Sequence, residues 1–146
     1  MRILALDIGE RRIGVALSDP EEVLAIPLAT IASKSEDADF TAILELVRQH
    51  GVERIVVGLP YSMDGSVGRQ AEQVQDFVNR LSQRMPVPVV TWDERLSTVA
   101  AGKMLRDAET RKSRRKDRKE KLDATAAAII LQAYLDSLQN QTNKSG

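Results

Sequence analysis

Apolar residues along this chain fall into two rhythms. Continuous runs near residues 3–9, 23–31, 55–59 and 87–92 have the length and β-branched content of strands. Ile13, Val15 and Leu17 alternate with Gly14, Ala16 and Ser18 as one further strand. Elsewhere the apolar positions recur three and four apart, as on one face of a helix. Phe40, Ile43, Leu44 and Val47 make the first such stripe, and Val67, Ala71, Val74, Val78 and Leu81 the second. Val99, Ala100, Met104 and Leu105 make a third, capped by Ser97 or Thr98, and residues 122–138 form a long apolar fourth helix. Punctuation agrees with these bounds. Gly51 after His50 is a helix stop, Pro27 marks an edge strand, and Gly9 with Glu10, Arg11 and Arg12 reads as a tight connection.

The order is three strands, helix, strand, helix, strand, helix, basic loop, helix. Short links between the first three strands predict an antiparallel meander, and each later strand, reached through a helix, joins in parallel. The expected fold is α/β with helices on both faces of a mixed sheet. Residues 1–138 form a single domain, and 139–146 a polar C-terminal tail. Such sheets gather functional groups at the carboxyl ends of their parallel strands. Asp7 near the end of the first strand and Glu94 just past the last can therefore open onto one rim.

Composition narrows the chemistry. A chain of 146 residues with 42% apolar residues suits one soluble domain with a real core. It has no apolar run long enough to span a membrane and no recognisable secretory leader, so the expectation is a cytoplasmic protein. With no cysteine and His50 as the only histidine, a catalytic metal would have to sit on carboxylates, which points to a hard ion such as Mg2+ or Mn2+. Net charge is zero but unevenly spread: residues 111–121 read RKSRRKDRKEK, eight bases against two acids. This stretch is expected to be a loop, unstructured without ligand, in which Arg111, Lys112, Arg114, Arg115 and Lys116 hold a phosphate backbone. Arg11, Arg12 and Arg95 are further candidates for phosphate contacts.

Three acids, Asp7, Glu94 and Asp123, lie beside apolar sequence where a solvated face would not need them. Clustered carboxylates repel unless protonated or bridged by cations. Bridged by two cations, they could cleave a phosphodiester without histidine or cysteine. Plainer readings stand beside this one. Asp7 could cap a turn, Glu94 could pair with Arg95 or Lys103, and Asp123 could favour a helix N-terminus. Asp93 and Glu94 start on opposite faces of their strand, so only one should reach the rim.

The segments DIGERRIGVALSD, VVGLPYSMDG, DERLSTVAA and LDATAAAIILQAYL, in this order and spacing, resemble the bacterial pre-16S rRNA nuclease family, also called YqgF-type or Holliday-junction-resolvase-like. The resemblance covers nearly everything up to Leu138. It implies a ribonuclease-H-like fold with a five-stranded sheet ordered 3-2-1-4-5. It also implies catalytic, metal-binding acids at Asp7, Glu94 and Asp123 in a two-metal site, with Asp93 a turn or supporting acceptor. The implied activity is hydrolysis of phosphodiester bonds, processing the 5′ end of pre-16S rRNA in ribosome biogenesis. Tyr61 and Ser62 stand where the family more commonly has Leu and Asn, which leaves that loop's substrate contacts open. Two other readings fit the same residues: a Holliday-junction resolvase acting on branched DNA, and a non-catalytic RNA-binding assembly factor. A kinase-like ATPase would need a second domain that 146 residues cannot supply. The expected partner is nucleic acid, with the protein a monomer or weak homodimer and no membrane involved.

Overall fold

The computed structural model of the chain describes residues 2–60, 68–97 and 115–145, with 97, 115–123 and 140–145 described by backbone alone. Three antiparallel strands open it: β1 (Arg2–Ile8), β2 (Arg12–Ser18) and β3 (Ala25–Ala32). Helix α1 (Glu36–His50) leads to β4 (Val52–Leu59), α2 (Arg69–Arg84) leads to β5 (Val89–Asp93), and a single 3-10 turn (Glu94–Ser97) follows. Helix α3 (Arg115–Ser145) closes the described chain. β4 lies parallel to β1 and β5 parallel to β4, so the sheet is mixed and ordered β3-β2-β1-β4-β5. The expected topology is thus observed.

Local chemistry explains the joints. Gly9 donates its N–H to the Arg12 carbonyl at 2.9 Å, and a Cβ on Gly9 would stand only 2.8 Å from that oxygen, so the β1–β2 turn needs glycine. Ser35 caps α1 by accepting the Ala38 N–H at 3.2 Å, and three acids occupy its first turn, where the helix dipole favours them. Gly51 ends α1 in the left-handed region at φ 64°, returning its N–H to the Val47 carbonyl. Pro27 lies on β3, an edge strand, where its missing N–H breaks no interior ladder.

Alternation along each strand divides the core in two. Leu4 and Leu6 of β1, with Ile55 and Val57 of β4, face α1 and α2. Ile3 and Ala5, with Val56, face α3, whose buried stripe includes Ala127, Ala128, Ile130, Leu131 and Leu135. The alanines bring α3 close to the sheet, and burying each large aliphatic side chain is worth about 1.5–3 kcal/mol.

Two expectations need correction. Residues 115–121 are not a loop: they are the first turns of α3. Arginine, lysine and glutamate are good helix formers, and Lys116 with Glu120, and Asp117 with Lys121, stand four apart, the spacing at which opposite charges favour a helix. Nor does the last helix end at Leu138, since the backbone remains helical to Ser145. The expected helix over residues 99–105, the Tyr61–Ser62 loop and Arg111, Lys112 and Arg114 lie outside the described residues.

Candidate active site

The rim forms where β1, β4 and β5 end side by side. Leu6 pairs with Val57, and Leu59 with Asp93, which aligns the carboxyl ends of the three strands. Asp7 follows Ile3 and Ala5 in the alternation of β1, so it falls on the α3 side of the sheet. Gly58 follows Val56 on that same side, and Glu94 follows Val90 and Trp92.

Asp7 and Glu94 meet there. Burial and then the Asp7 charge push the Glu94 carboxyl up from 4.5 to about 7, and a hydrogen bond couples the two groups. Two ionised carboxylates this close would repel, so the pair must share a proton or accept a cation. Its oxygens are hard donors that suit a divalent cation of the Mg2+ class.

Gly58 makes the meeting possible. A Cβ at this position would lie 2.7 Å from Glu94 Oε1, 3.0 Å from Glu94 Cγ and 2.5 Å from Ile130 Cδ1. The Glu94 side chain therefore lies across a bare stretch of β4, between the sheet and α3. Sequence reading named Gly58 as part of a motif but missed this role. The available signal was a lone glycine inside the apolar run Ile55–Leu59, which often marks close approach of another group.

Asp93 takes a different part. It accepts the Arg95 backbone N–H at 3.0 Å and pairs with the Arg95 guanidinium at 2.6 Å, which holds its carboxyl below the usual range. It thus closes the turn after β5 while Glu94 faces Asp7. Arg95, expected to contact phosphate and one of the partners considered for Glu94, spends its guanidinium on Asp93. Arg11 is exposed at the tip of the β1–β2 turn, and Arg12 is half-buried at the start of β2.

Asp123 belongs to α3, eight residues after Arg115. It is not in the first turn, so the helix dipole no longer accounts for an acid there. Ile130 lies at Gly58 and Tyr134 accepts a hydrogen bond from Arg54 at 2.7 Å, so α3 runs antiparallel to β4. Position 123 is two turns before Ile130, about 10 Å toward the rim. Its side chain, like those of Arg115 and Lys116, lies outside the described residues. Among the described residues no group of three or more His, Asp or Glu side chains could hold a metal. Nor is any described helix long and apolar enough to cross a membrane.

Comparison with known proteins gives this rim a context. A family model described as RuvX, Holliday junction resolvase, matches residues 1–137. A protein of Moorella thermoacetica named "Putative pre-16S rRNA nuclease" is 49% identical over 138 residues, 94% of this chain and 96% of that one. One of the same name from Roseiflexus sp. is 48% identical over 136 residues, 93% of this chain and 94% of that one. Among solved structures, Thermus thermophilus RuvC in complex with a Holliday junction substrate superposes with a TM-score of 0.63 at 16% identity, covering 96% of each chain. That likeness shows the fold, which is the ribonuclease-H-like arrangement. With the family model spanning nearly the whole chain and relatives this similar, the chain belongs to the RuvX family of Holliday-junction-resolvase-like nucleases.

Proposed function

We propose that this nuclease processes the 5′ end of pre-16S rRNA, with Asp7, Glu94 and Asp123 as its catalytic, metal-binding acids. The observation that carries the reading is the Asp7–Glu94 carboxyl pair at the strand rim, held over Gly58 with too little room for two uncompensated charges. The names of its relatives supply the substrate class.

Each residue has a separable part. Asp7, fixed by a central strand, and Glu94, fixed by the turn after β5, hold divalent cations, Mg2+ or Mn2+, from the sheet side. Asp123 approaches from α3. Divalent ions held by these acids would supply the means to activate a water and to stabilise the departing oxygen. Glu94 releases its proton to become a ligand, so cation uptake is linked to pH. Arg11, Arg12 and the basic residues 111–116 neutralise backbone phosphates and set the strand across the rim without reading bases. A precursor rRNA substrate, as in the name its relatives carry, would place the site of action in the cytoplasm.

The test is cleavage of a labelled pre-16S rRNA fragment beside a four-way DNA junction, with Mg2+ and with chelator. The expected result is Mg2+-dependent cutting of the RNA alone. Cutting of the junction alone would make the protein a resolvase, and binding without any cutting would make it an assembly factor.

A further inference from the structure

The opposite face of the same rim carries a feature that the acid pair does not use. The β1–β2 connection and the first turns of α2 enclose a groove of about 560 Å3 lined by Ile8, Gly9, Glu10, Arg69, Gln70, Gln73, Val74, Phe77 and Arg80. Its volume falls in the range of sites that hold small organic groups, about 300–1,000 Å3. Ile8, Val74 and Phe77 offer an apolar floor, and Phe77 is braced edge-on by Phe40 at 5.1 Å. The polar wall combines two bases, Arg69 and Arg80, two amides, Gln70 and Gln73, and one exposed acid, Glu10, at the turn end of the groove. Gln70 and Gln73 each present a donor and an acceptor, as the edge of a base requires. Arg69 makes no ion pair with a described residue, whereas Arg80 is tethered through Nε to Glu36 at 2.8 Å.

Position gives the groove its meaning. Asp7 and Ile8 are neighbours on β1 and so face opposite sides of the sheet, one rise of about 3.3 Å apart. Gly9 follows Ile8 at the turn between the two sides; its N–H bonds the Arg12 carbonyl, and it has no side chain to obstruct passage. A strand whose phosphate lies at the acid pair can cross Gly9 and reach the groove. A paired base could not follow, because it would have to stay in its stack.

We propose that this groove is a subsite for an unpaired nucleotide of the substrate strand next to the cleavage point, with Arg69 on a phosphate and Gln70 and Gln73 on the base edge. The proposal rests on the nuclease reading. It makes the enzyme a reader of single-stranded segments: the acids cut on one face while the other face holds the displaced end.

The 146-residue sequence contains no cysteine, so Gln73→Cys supplies its only thiol. Gln83→Cys, near the far end of α2 and outside the groove lining, is the control. Both original side chains are exposed, so folding is not at stake. The rate of thiol alkylation is measured with and without a 12-nucleotide single-stranded RNA in chelator. In parallel, Arg69→Ala/Gln73→Ala is assayed with Mg2+ on that RNA and on bis(p-nitrophenyl) phosphate, a diester too small to span the turn. We expect RNA to slow alkylation at position 73 at least fivefold and at position 83 not at all. The double variant should raise KM for RNA about tenfold, with kcat and hydrolysis of the small diester unchanged. Equal alkylation with and without RNA, or an unchanged KM, would overturn the subsite. If the parent hydrolyses neither substrate, the nuclease reading falls instead, and protection at position 73 alone would still establish the groove.

Discussion

Gly58→Ala isolates the geometry on which the active site depends. The added methyl would stand 2.7 Å from Glu94 Oε1, so the carboxylate must retreat by roughly 0.7 Å to reach ordinary contact near 3.4 Å. The methyl also meets Ile130 Cδ1 at 2.5 Å. The two closest obstacles are ends of side chains that can swing, and Glu94 Cγ at 3.0 Å must give by a few tenths of an ångström, so the stability cost should lie within the lower half of overpacking, about 1–2 kcal/mol. For a chain of this size that lowers Tm by about 2–8 °C. Catalysis should suffer far more, because displacing a reacting group by about 1 Å can cost 10²-fold. The double variant Gly58→Ala/Ile130→Val separates the two effects. Removing Cδ1 relieves the contact with α3 and should return most of the lost Tm, the two changes being coupled rather than additive. It does nothing for Glu94, so cleavage should stay about 10²-fold down. The assay is a thermal melt beside Mg2+-dependent cleavage for the parent, both single variants and the double. Gly58→Ala cleaving within threefold of the parent would refute the reasoning, because the position of the Glu94 carboxylate would then not matter. Recovery of cleavage in the double variant would also refute it, because the defect would then come from α3.

Glu94→Gln should lower cleavage at least 10²-fold with the fold intact, whereas Asp93→Asn, which loses only an exposed ion pair with Arg95, should retain much of the activity; the opposite ranking in the cleavage assay would exchange their roles. Between pH 4.5 and about 7 the unfolded chain has released the Glu94 proton while the folded chain still holds it, so stability should be fully present below 4.5 and fall as pH rises to 7. The whole shift corresponds to about 3 kcal/mol, which solvent at a partly open rim should reduce to about 1–2 kcal/mol. Denaturant melts of metal-free protein across this window check the sign, and Glu94→Gln should flatten the slope. Neutralising Arg111, Lys112, Arg114 and Arg115 should weaken RNA binding across sequences and lower the logarithmic salt slope by about 3, as measured by titrations at several salt concentrations.

The order of elements was legible because burial imposes period. Ile3 to Leu6 could only be a covered strand, and the stripe Ala71, Val74, Val78 and Leu81 lies buried as its spacing requires. The rim position of Asp7 and Glu94 followed from strand direction, and the split between Asp93 and Glu94 from the two-residue period of β5. What remained hidden depends on contacts distant in sequence. Nothing near Gly58 announces that a glutamate 36 residues later must lie across it. The groove joins Glu10 to Arg80 by folding alone. Residues 115–121 were misread as loop because charge density was weighed as repulsion, whereas lysine, arginine and glutamate at these spacings continue a helix already nucleated by the apolar stripe after them.

The central claim, that Asp7 and Glu94 form a cation-dependent catalytic pair, is tested most directly by Asp7→Asn. The substitution keeps the shape but removes one charge and one strong ligand. Two opposite effects are expected from one change. Without metal and above about pH 7, where both carboxyls of the parent are ionised, the variant should melt at or above the parent temperature, because repulsion with Glu94 is relieved. With Mg2+, the parent should gain Tm and the variant little, since a ligand stabilises only the state that binds it. Cleavage of the precursor rRNA fragment should fall by orders of magnitude. An Asp7→Asn protein that cleaves like the parent and gains the same Tm from Mg2+ would make Asp7 a structural acid and contradict the account.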